Sequence, residues 1–125
     1  MAQSPTQAIG ARAERLALDH LVENGLRCLQ QNFHCRFGEI DLIMLDGDCL
    51  VFAEVRYRSR NRFSNAAMSV GMAKQKKIIL TASYFLRGKR QYANNIMRFD
   101  VIAIDGAAAG QYTIQWLKDA FRPGY

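Results

Sequence analysis

Apolar residues recur along the chain at two different spacings, and these spacings predict its secondary structure. In residues 9–24 they recur at every third or fourth position and Gly25 follows, which predicts an amphipathic helix that ends there. Residues 72–87 show the same periodicity with lysines on the opposite side, and Gly88 closes this second predicted helix. Shorter apolar stretches predict five strands, at residues 26–33, 37–45, 49–57, 96–104 and 112–117.

The order of these elements, α-β-β-β-α-β-β, predicts a mixed sheet with helices on its faces. Asp46-Gly47-Asp48 separates the second and third strands and predicts a hairpin. The second helix then crosses over into the fourth strand, and the last strand is expected at a sheet edge. Residues 64–70 are expected to form a loop. With 125 residues, the chain is expected to be a single α/β (α+β) domain, of which residues 1–7 are flexible.

Composition excludes several classes of protein. Half of the residues are apolar, 22% are charged and only two are proline, so disordered and collagen-like chains are excluded. No apolar stretch approaches the ~18 residues that span a bilayer, which predicts a cytoplasmic protein with no membrane partner. The three cysteines lack a Cys-x-x-Cys pair and fit neither a disulfide framework nor a common zinc site, and His34 beside Cys35 is only a weak metal pair.

The charge is unevenly distributed. Residues 55–99 contain no acid and eleven bases, whereas the rest of the chain holds all eleven acids and six bases. Such a one-sign segment indicates a polyanionic partner, above all nucleic acid, although an acidic partner protein or a merely soluble basic face are alternatives. Nine of its bases are candidates for binding nucleic acid: Arg58, Arg60, Arg62, Lys74, Lys76, Lys77, Arg87, Lys89 and Arg90.

The second and third predicted strands carry acids inside apolar stretches. If Asp46-Gly47 forms the two-residue loop of the hairpin, Asp41 faces Phe52, and if Gly47-Asp48 forms it, Asp41 faces Glu54. In both cases strand alternation places four charged side chains on one face: Glu39, Asp41, Glu54 and Arg56.

Acids in such an apolar setting need a positive partner. Arg56 is one candidate, and a divalent cation is the other. Oxygen ligands alone favour Mg²⁺, or Mn²⁺, over softer metals. The alternative is a buried network between Arg56 and the carboxylates with no metal. Combined with the basic segment, an acidic metal site predicts hydrolysis of phosphodiester bonds, since a cation activates water and neutralises charge on the phosphate. Phosphate-loop, dinucleotide-binding and nucleophile-elbow motifs are absent from the sequence.

Three motifs in order resemble the YraN family, a numbered uncharacterised protein family of bacteria. They are GEIDLI at residues 38–43, FAEVRYR at residues 52–58 and RFDV at residues 98–101. The resemblance extends over nearly the whole chain, through positions that look like recurring ones in that family: Gly10, Glu14, Ala17, Gly25, Asn32, Lys74-Gln75 and residues 116–121.

That family in turn resembles the PD-(D/E)XK nuclease superfamily, and the archaeal Holliday junction resolvases look most similar in layout. The resemblance implies a restriction-endonuclease-like α-β-β-β-α-β core. It implies that Asp41 and Glu54 are the catalytic and metal-binding acids, with Arg56 in the place of the motif's Lys. It further implies a catalytic helix glutamate at Glu14 and a glutamine at Gln75, with Glu39 as an additional metal ligand.

The chain departs from the superfamily pattern at two positions. Ile40 replaces the Pro that precedes the Asp, and Arg56 replaces the Lys. Because arginine stays protonated, Arg56 can stabilise negative charge but cannot act as a general base. Alternatively, Lys74 reaches the site from the second helix, since the position of this lysine varies in the superfamily.

The leading interpretation is a nucleic-acid-binding protein that acts as a Mg²⁺-dependent endonuclease on branched or non-standard DNA. By analogy with resolvases, it is expected to act as a homodimer. Two alternatives stay open: a non-catalytic nucleic-acid-binding module with a degenerate nuclease site, and a basic domain that docks onto a protein.

Overall fold

The computed structural model describes residues 4–58, 70–106 and 110–124. Within them lie two α-helices, five strands and a short 3₁₀ turn at Arg90–Tyr92. The predicted order, α-β-β-β-α-β-β, is confirmed, and the fold is α+β with a mixed sheet, consistent with a nuclease-like core. The predicted loop at residues 64–70 falls mostly outside the described residues.

Helix α1 spans Pro5–Glu23 and begins with a capping box. Ser4 Oγ accepts the backbone N–H of Gln7 at 3.2 Å, and the Ser4 N–H donates to Gln7 Oε1 at 3.0 Å. The helix therefore starts four residues before the predicted position, and residues 5–7 of the segment expected to be flexible are helical. One side of α1 is buried: Ala13, Ala17, Leu18 and Leu21.

Helix α2 spans Met72–Leu86, and its buried face is formed by Ile78, Thr81, Ala82 and Phe85. Gly71 precedes the helix without a side-chain cap. Instead, the Gln75 side-chain amide donates a 2.7 Å hydrogen bond to the carbonyl of Val70, which ties the first turn to the preceding residue.

The five strands form one sheet in the order β1-β2-β3-β4-β5. Only β3 and β4 pair in parallel, because α2 connects them as a crossover, and the other neighbours are antiparallel. The last strand lies at an edge, as predicted. The strand bounds are β1 Arg27–Cys35, β2 Gly38–Asp46, β3 Cys49–Arg58, β4 Ile96–Asp105 and β5 Thr113–Phe121.

Two apolar cores lie on opposite faces of the sheet. The first packs α1 against Leu42, Met44 and Val51. The second packs α2 against Ile43 and Phe52. Neighbouring residues of β2 thus enter different cores, which is the alternation expected of a strand covered on both faces.

The β2–β3 hairpin selects the second of the two predicted registers. Asp46 pairs with Cys49 and Leu42 pairs with Ala53, so Gly47 and Asp48 form the loop. Gly47 has a φ of +59°, a left-handed conformation that suits glycine. The register directs Asp41 toward Glu54 at the far end of the hairpin.

A buried charge network joins β4 to β5 and to the hairpin. The Asp100 side chain is fully buried and accepts hydrogen bonds from Arg98 Nε at 2.9 Å and Trp116 Nε1 at 2.9 Å. Arg98 also reaches Asp46 at 3.1 Å. Asp119, at φ +56°, donates its backbone N–H to Asp100 over 2.9 Å. This irregularity lets β5 continue past the predicted end at residue 117.

Candidate functional site

Strands β2 and β3 separate at the end of the hairpin, and acidic residues lie at this separation. The last regular pair of the ladder is Leu42 with Ala53. One residue further, the Asp41 carboxylate accepts a 2.8 Å hydrogen bond from the backbone N–H of Val55. Glu54 lies beside it, within side-chain hydrogen-bonding reach. The structure therefore brings the two predicted catalytic acids together.

Electrostatics at Asp41 are unusual for a carboxyl group. Burial, followed by the neighbouring Glu54 and the charge of Glu14, raises its pKa from 3.8 to about 8, although the Val55 N–H acts in the opposite direction. Burial thus favours the protonated form of Asp41, and a cation bound beside it would favour the carboxylate. Such strongly perturbed acids are concentrated at functional sites.

Lys74 approaches the acids from the first turn of α2. Its Nζ lies 3.0 Å from Glu54 Oε2, with the lysine side chain 52% exposed and the glutamate side chain 12% exposed. A mostly buried carboxylate thus has an ammonium group that remains accessible to solvent. The alternative that Lys74 reaches the site agrees with this contact.

Two further predicted residues flank the acids from different elements. Glu14 is half-buried on α1, next to the fully buried Ala13, and its charge acts on Asp41. Arg56 lies two residues after Glu54 on the same face of β3 and is partly buried. The site is therefore assembled from α1, the hairpin and α2.

The structure places Glu39 and Gln75 in other contacts. Glu39 lies 2.9 Å from His34 Nε2 on the neighbouring strand, and both side chains are well exposed, at 61% and 66%. That contact is an ion pair only when the imidazole is protonated. Gln75 uses its side-chain N–H on the carbonyl of Val70. Their predicted metal-binding and catalytic roles stay predictions.

A narrow depression lies between the hairpin end and α2, lined by Glu39, Ile40, Asp41, Ala53, Glu54 and Ile78. Among the described residues, no group of three or more His, Cys, Asp or Glu side chains converges enough to hold a metal ion. Asp41 and Glu54 nevertheless fit Mg²⁺, which is commonly held by one or two carboxylates and completes its shell with water and phosphate.

The candidate nucleic-acid-binding residues form three groups, of which two lie in the described part of the chain. Lys74, Lys76 and Lys77 are exposed in the first turns of α2. Arg87, Lys89 and Arg90 follow the other end of the helix, where Lys89 Nζ lies 4.9 Å from the ring centre of Phe85. The Arg58 side chain, Arg60 and Arg62 lie outside the described part of the chain.

The three cysteines are free and partly buried. An aromatic pair formed by the partly buried Phe37 and the exposed Tyr84 was not anticipated from the sequence. The signal that could have revealed it is a phenylalanine in the short β1–β2 turn, where polar or small residues are usual.

Comparison with known proteins identifies the family. The sequence profile of the uncharacterised protein family UPF0102 matches residues 13–104. A UPF0102 protein of Pseudomonas fluorescens is 46% identical over 121 residues, which cover 97% of this chain and 98% of the relative. Another, of Stutzerimonas stutzeri, is 47% identical over 119 residues, 94% of this chain and 98% of the relative. In the described residues, no helix is long and apolar enough to cross a membrane. The match spans the acidic pair and most of both cores, and the chain therefore belongs to the uncharacterised protein family UPF0102, the YraN family.

Proposed function

We propose that this protein binds DNA and hydrolyses its phosphodiester bonds, using Mg²⁺ or Mn²⁺ at Asp41 and Glu54. One observation carries the proposal: two carboxyl groups lie side by side in a partly buried site, and the pKa of Asp41 is raised to about 8. Adjacent buried acids destabilise a fold unless their charge is compensated, and they are concentrated at functional sites. A divalent cation resolves the repulsion and requires the oxygen ligands that are present.

The chain's own groups have distinct roles in this proposal. The Val55 N–H holds Asp41 Oδ2 in place, and Asp41 and Glu54 would hold the cation. A cation held there supplies charge neutralisation at the scissile phosphate and lowers the pKa of a water molecule. Glu54 is the second acid. Its deep burial limits its movement and favours a fixed geometry.

Lys74 can take the place of the motif's lysine, which Arg56 replaces in this chain. Arg56 cannot accept a proton, but the ammonium of Lys74 contacts Glu54 at 3.0 Å and is half-exposed. In the proposed reaction Lys74 contacts a phosphate oxygen, and Arg56 stabilises the negative charge that develops. The lysine of the motif is thus supplied by α2 rather than by β3.

DNA binding is supported by the distribution of charge. Helix α2 carries three lysines and no acid, and it borders the acidic pair. The binding should be steeply salt-dependent and weakly sequence-dependent: with about five phosphates neutralised, log K should fall against log salt with a slope of roughly −4 to −5. Free cysteines fit action in the reducing cytoplasm. Branched DNA as substrate and a homodimer as active form belong to the same proposal.

The test is a cleavage assay with linear, nicked, flapped and four-way DNA in Mg²⁺ and in Mn²⁺. The wild-type protein should cleave a branched substrate, Asp41→Asn should not, and Asp48→Asn in the exposed hairpin loop should behave as wild type. Cleavage that persists unchanged in Asp41→Asn would show a contaminating enzyme. Failure on every substrate with both metals would refute catalysis.

A second candidate is favoured by the Lys74–Glu54 ion pair itself. If that pair and Arg56 already compensate the acids, the domain is a non-catalytic module that grips DNA with its basic surface. Thermal unfolding with and without Mg²⁺ separates the two, because a ligand that binds the native state must raise its stability. DNA binding without any metal effect would favour the module, and absence of DNA binding at low salt would favour docking onto a protein.

A further inference from the structure

One exposed and one partly buried aromatic ring lie together near the end of α2 that is remote from Lys74. Phe37, in the β1–β2 turn, and Tyr84, in α2, have ring centres 6.2 Å apart at an angle of 67°. An arginine guanidinium lies over each ring, Arg36 at 4.8 Å from the Phe37 centre and Arg87 at 5.6 Å from the Tyr84 centre. Tyr84 is 39% exposed, and both arginines are exposed. We call these four residues the aromatic platform.

Packing beneath the aromatic platform fixes its position. Gly38 follows Phe37, and a Cβ atom there would lie 3.4 Å from Thr81 Oγ1 and 3.7 Å from Lys77 Cβ. The turn therefore sits directly against α2. Below it, the Phe33 ring lies 6.4 Å from Tyr84. A surface held in this way loses little conformational entropy when it binds a ligand.

The charge around the aromatic platform favours a polyanion. Helix α2 has no acidic residue, and its lysines lie in the first two turns, where the positive end of the helix dipole disfavours cations. That arrangement lowers helix stability, and an anionic ligand would offset the effect, as Glu54 does for Lys74. Exposed Met72 and Leu80 on the same helix could instead suggest self-association, but two copies of this face would bring lysines against lysines.

We infer that the aromatic platform stacks unpaired bases of a single-stranded DNA segment next to the bond that is cut. Every base has a π-face, so aromatic rings bind single strands with little sequence preference, and guanidinium groups add to the stacking. Bases inside a duplex are already stacked and cannot use the rings. The aromatic platform therefore selects substrates with unpaired bases, such as flaps and junction arms. This inference rests on the proposed function.

The spacing along α2 sets where the unpaired bases lie. Ten residues separate Lys74 from Tyr84, which corresponds to about 15 Å of helix. A stacked strand advances roughly 3.4 Å per nucleotide, so about four nucleotides separate the two sites. The unpaired segment should accordingly begin within a few nucleotides of the scissile phosphate.

The experiment measures dissociation constants for a single strand and a duplex of equal length, by anisotropy in EDTA at one salt concentration. Phe37→Leu/Tyr84→Leu removes both rings and keeps apolar side chains. Tyr112→Leu is the matched control, since Tyr112 is an exposed tyrosine (44%) away from the platform. We expect single-strand affinity to fall roughly 5- to 100-fold in the double variant. Duplex affinity should change by no more than about twofold, as for an ordinary surface substitution.

Two further readouts support the assignment. A 2-aminopurine in the single strand should be quenched by wild type and by Tyr112→Leu, but less by the double variant. Arg87→Gln, an exposed substitution that leaves the packing intact, should weaken single-strand binding more than duplex binding, so the test does not depend on the double variant alone.

Each alternative outcome is informative. Equal losses for single strand and duplex, or no loss, would overturn the inference and leave the proposed function standing. Absence of any DNA binding by wild type at low salt would overturn both. A wild-type dimer that becomes monomeric in Phe37→Leu/Tyr84→Leu without DNA would identify the platform as a self-association surface and overturn the inference.

Discussion

Replacing Asp41 with asparagine should make the protein more stable at pH 8 and leave its stability at pH 4 nearly unchanged. Asparagine keeps the shape of the side chain and an acceptor for the Val55 N–H, but it has no proton to lose. The pKa of Asp41 is raised from 3.8 to about 8 by burial and by the acids Glu54 and Glu14. Lys74, which contacts Glu54, and Arg56, on the same face of β3 as Glu54, are cations beside this cluster.

The sign of the effect follows from the direction of the pKa change. The folded protein keeps a proton that the unfolded chain releases between pH 4 and pH 8, so stability falls as the pH rises through this window. This one group contributes a slope of at most about 1.4 kcal/mol per pH unit. Over the whole window from pH 4 to pH 8, the free energy of unfolding would fall by about 5 kcal/mol. Partial exposure of the site and the nearby ammonium of Lys74 reduce this loss to about 2–3 kcal/mol.

Urea unfolding at each pH between 4 and 8, in EDTA, measures this effect. The free energy of unfolding of Asp41→Asn minus that of wild type should rise from near zero to about 2–3 kcal/mol, because contributions from distant groups cancel. Asp48→Asn in the exposed hairpin loop is the control for the substitution itself. A flat difference for Asp41→Asn would refute the raised pKa. At pH 8, a hundredfold excess of Mg²⁺ over its Kd should stabilise wild type by about 2.7 kcal/mol, and equal stabilisation of Asp41→Asn would refute the shared cation site.

Three other substitutions test separate parts of the structure. Lys74→Ala should lower the cleavage rate by about 10²-fold, as for loss of one charge-stabilising group. The neighbouring Lys76→Ala should affect only DNA affinity. Equal cleavage rates in the two variants would refute a role for Lys74 in the reaction. Arg56→Lys should retain or raise cleavage if Arg56 only stabilises charge. Melting temperature and cleavage are measured on the same sample. A variant that is destabilised and does not cleave would indicate a structural network instead. Asp100→Asn should cost about 3 kcal/mol in urea unfolding, since it removes the fully buried carboxylate that pairs with the mostly buried Arg98. A loss below about 1 kcal/mol would contradict that account.

Hydrophobic periodicity was sufficient to predict the strands and most of both helices, because each of these elements is covered by other parts of the protein on at least one face. The boundaries that it missed depend on single hydrogen bonds. Helix α1 begins at Pro5 because Ser4 and Gln7 cap it reciprocally, in a stretch with no apolar periodicity. Strand β5 continues beyond residue 117 because Asp119 adopts a left-handed conformation and bonds to Asp100. Neither contact leaves a signal in an alternation pattern.

The candidate site was also predicted only in part from the sequence. Strand parity anticipated that Asp41 and Glu54 share a region, since either hairpin register keeps them on one face. The alternation of β2 breaks beyond its last pair with β3. Ile40 and Ile43 both enter the core on the α2 side, although residues three positions apart point to opposite faces of a regular strand. Side-chain geometry at this break, including the bond from Val55, could not be predicted from the pattern. The contact of Glu39 with His34 also depends on the β1–β2 register, which the sequence left open.

The two interpretations of the acidic pair differ in what they require of Lys74. In a structural network, the role of Lys74 is to neutralise Glu54. A half-exposed lysine stabilises such a pair only weakly, because its ammonium keeps much of its hydration and ordering its flexible side chain costs entropy. The pKa of Asp41 is raised to about 8 even though Lys74 lies nearby. In a catalytic site the same features are useful: the ammonium is accessible to a phosphate, and Asp41 can exchange its proton for a cation. The geometry of Lys74 therefore favours catalysis over a purely structural role.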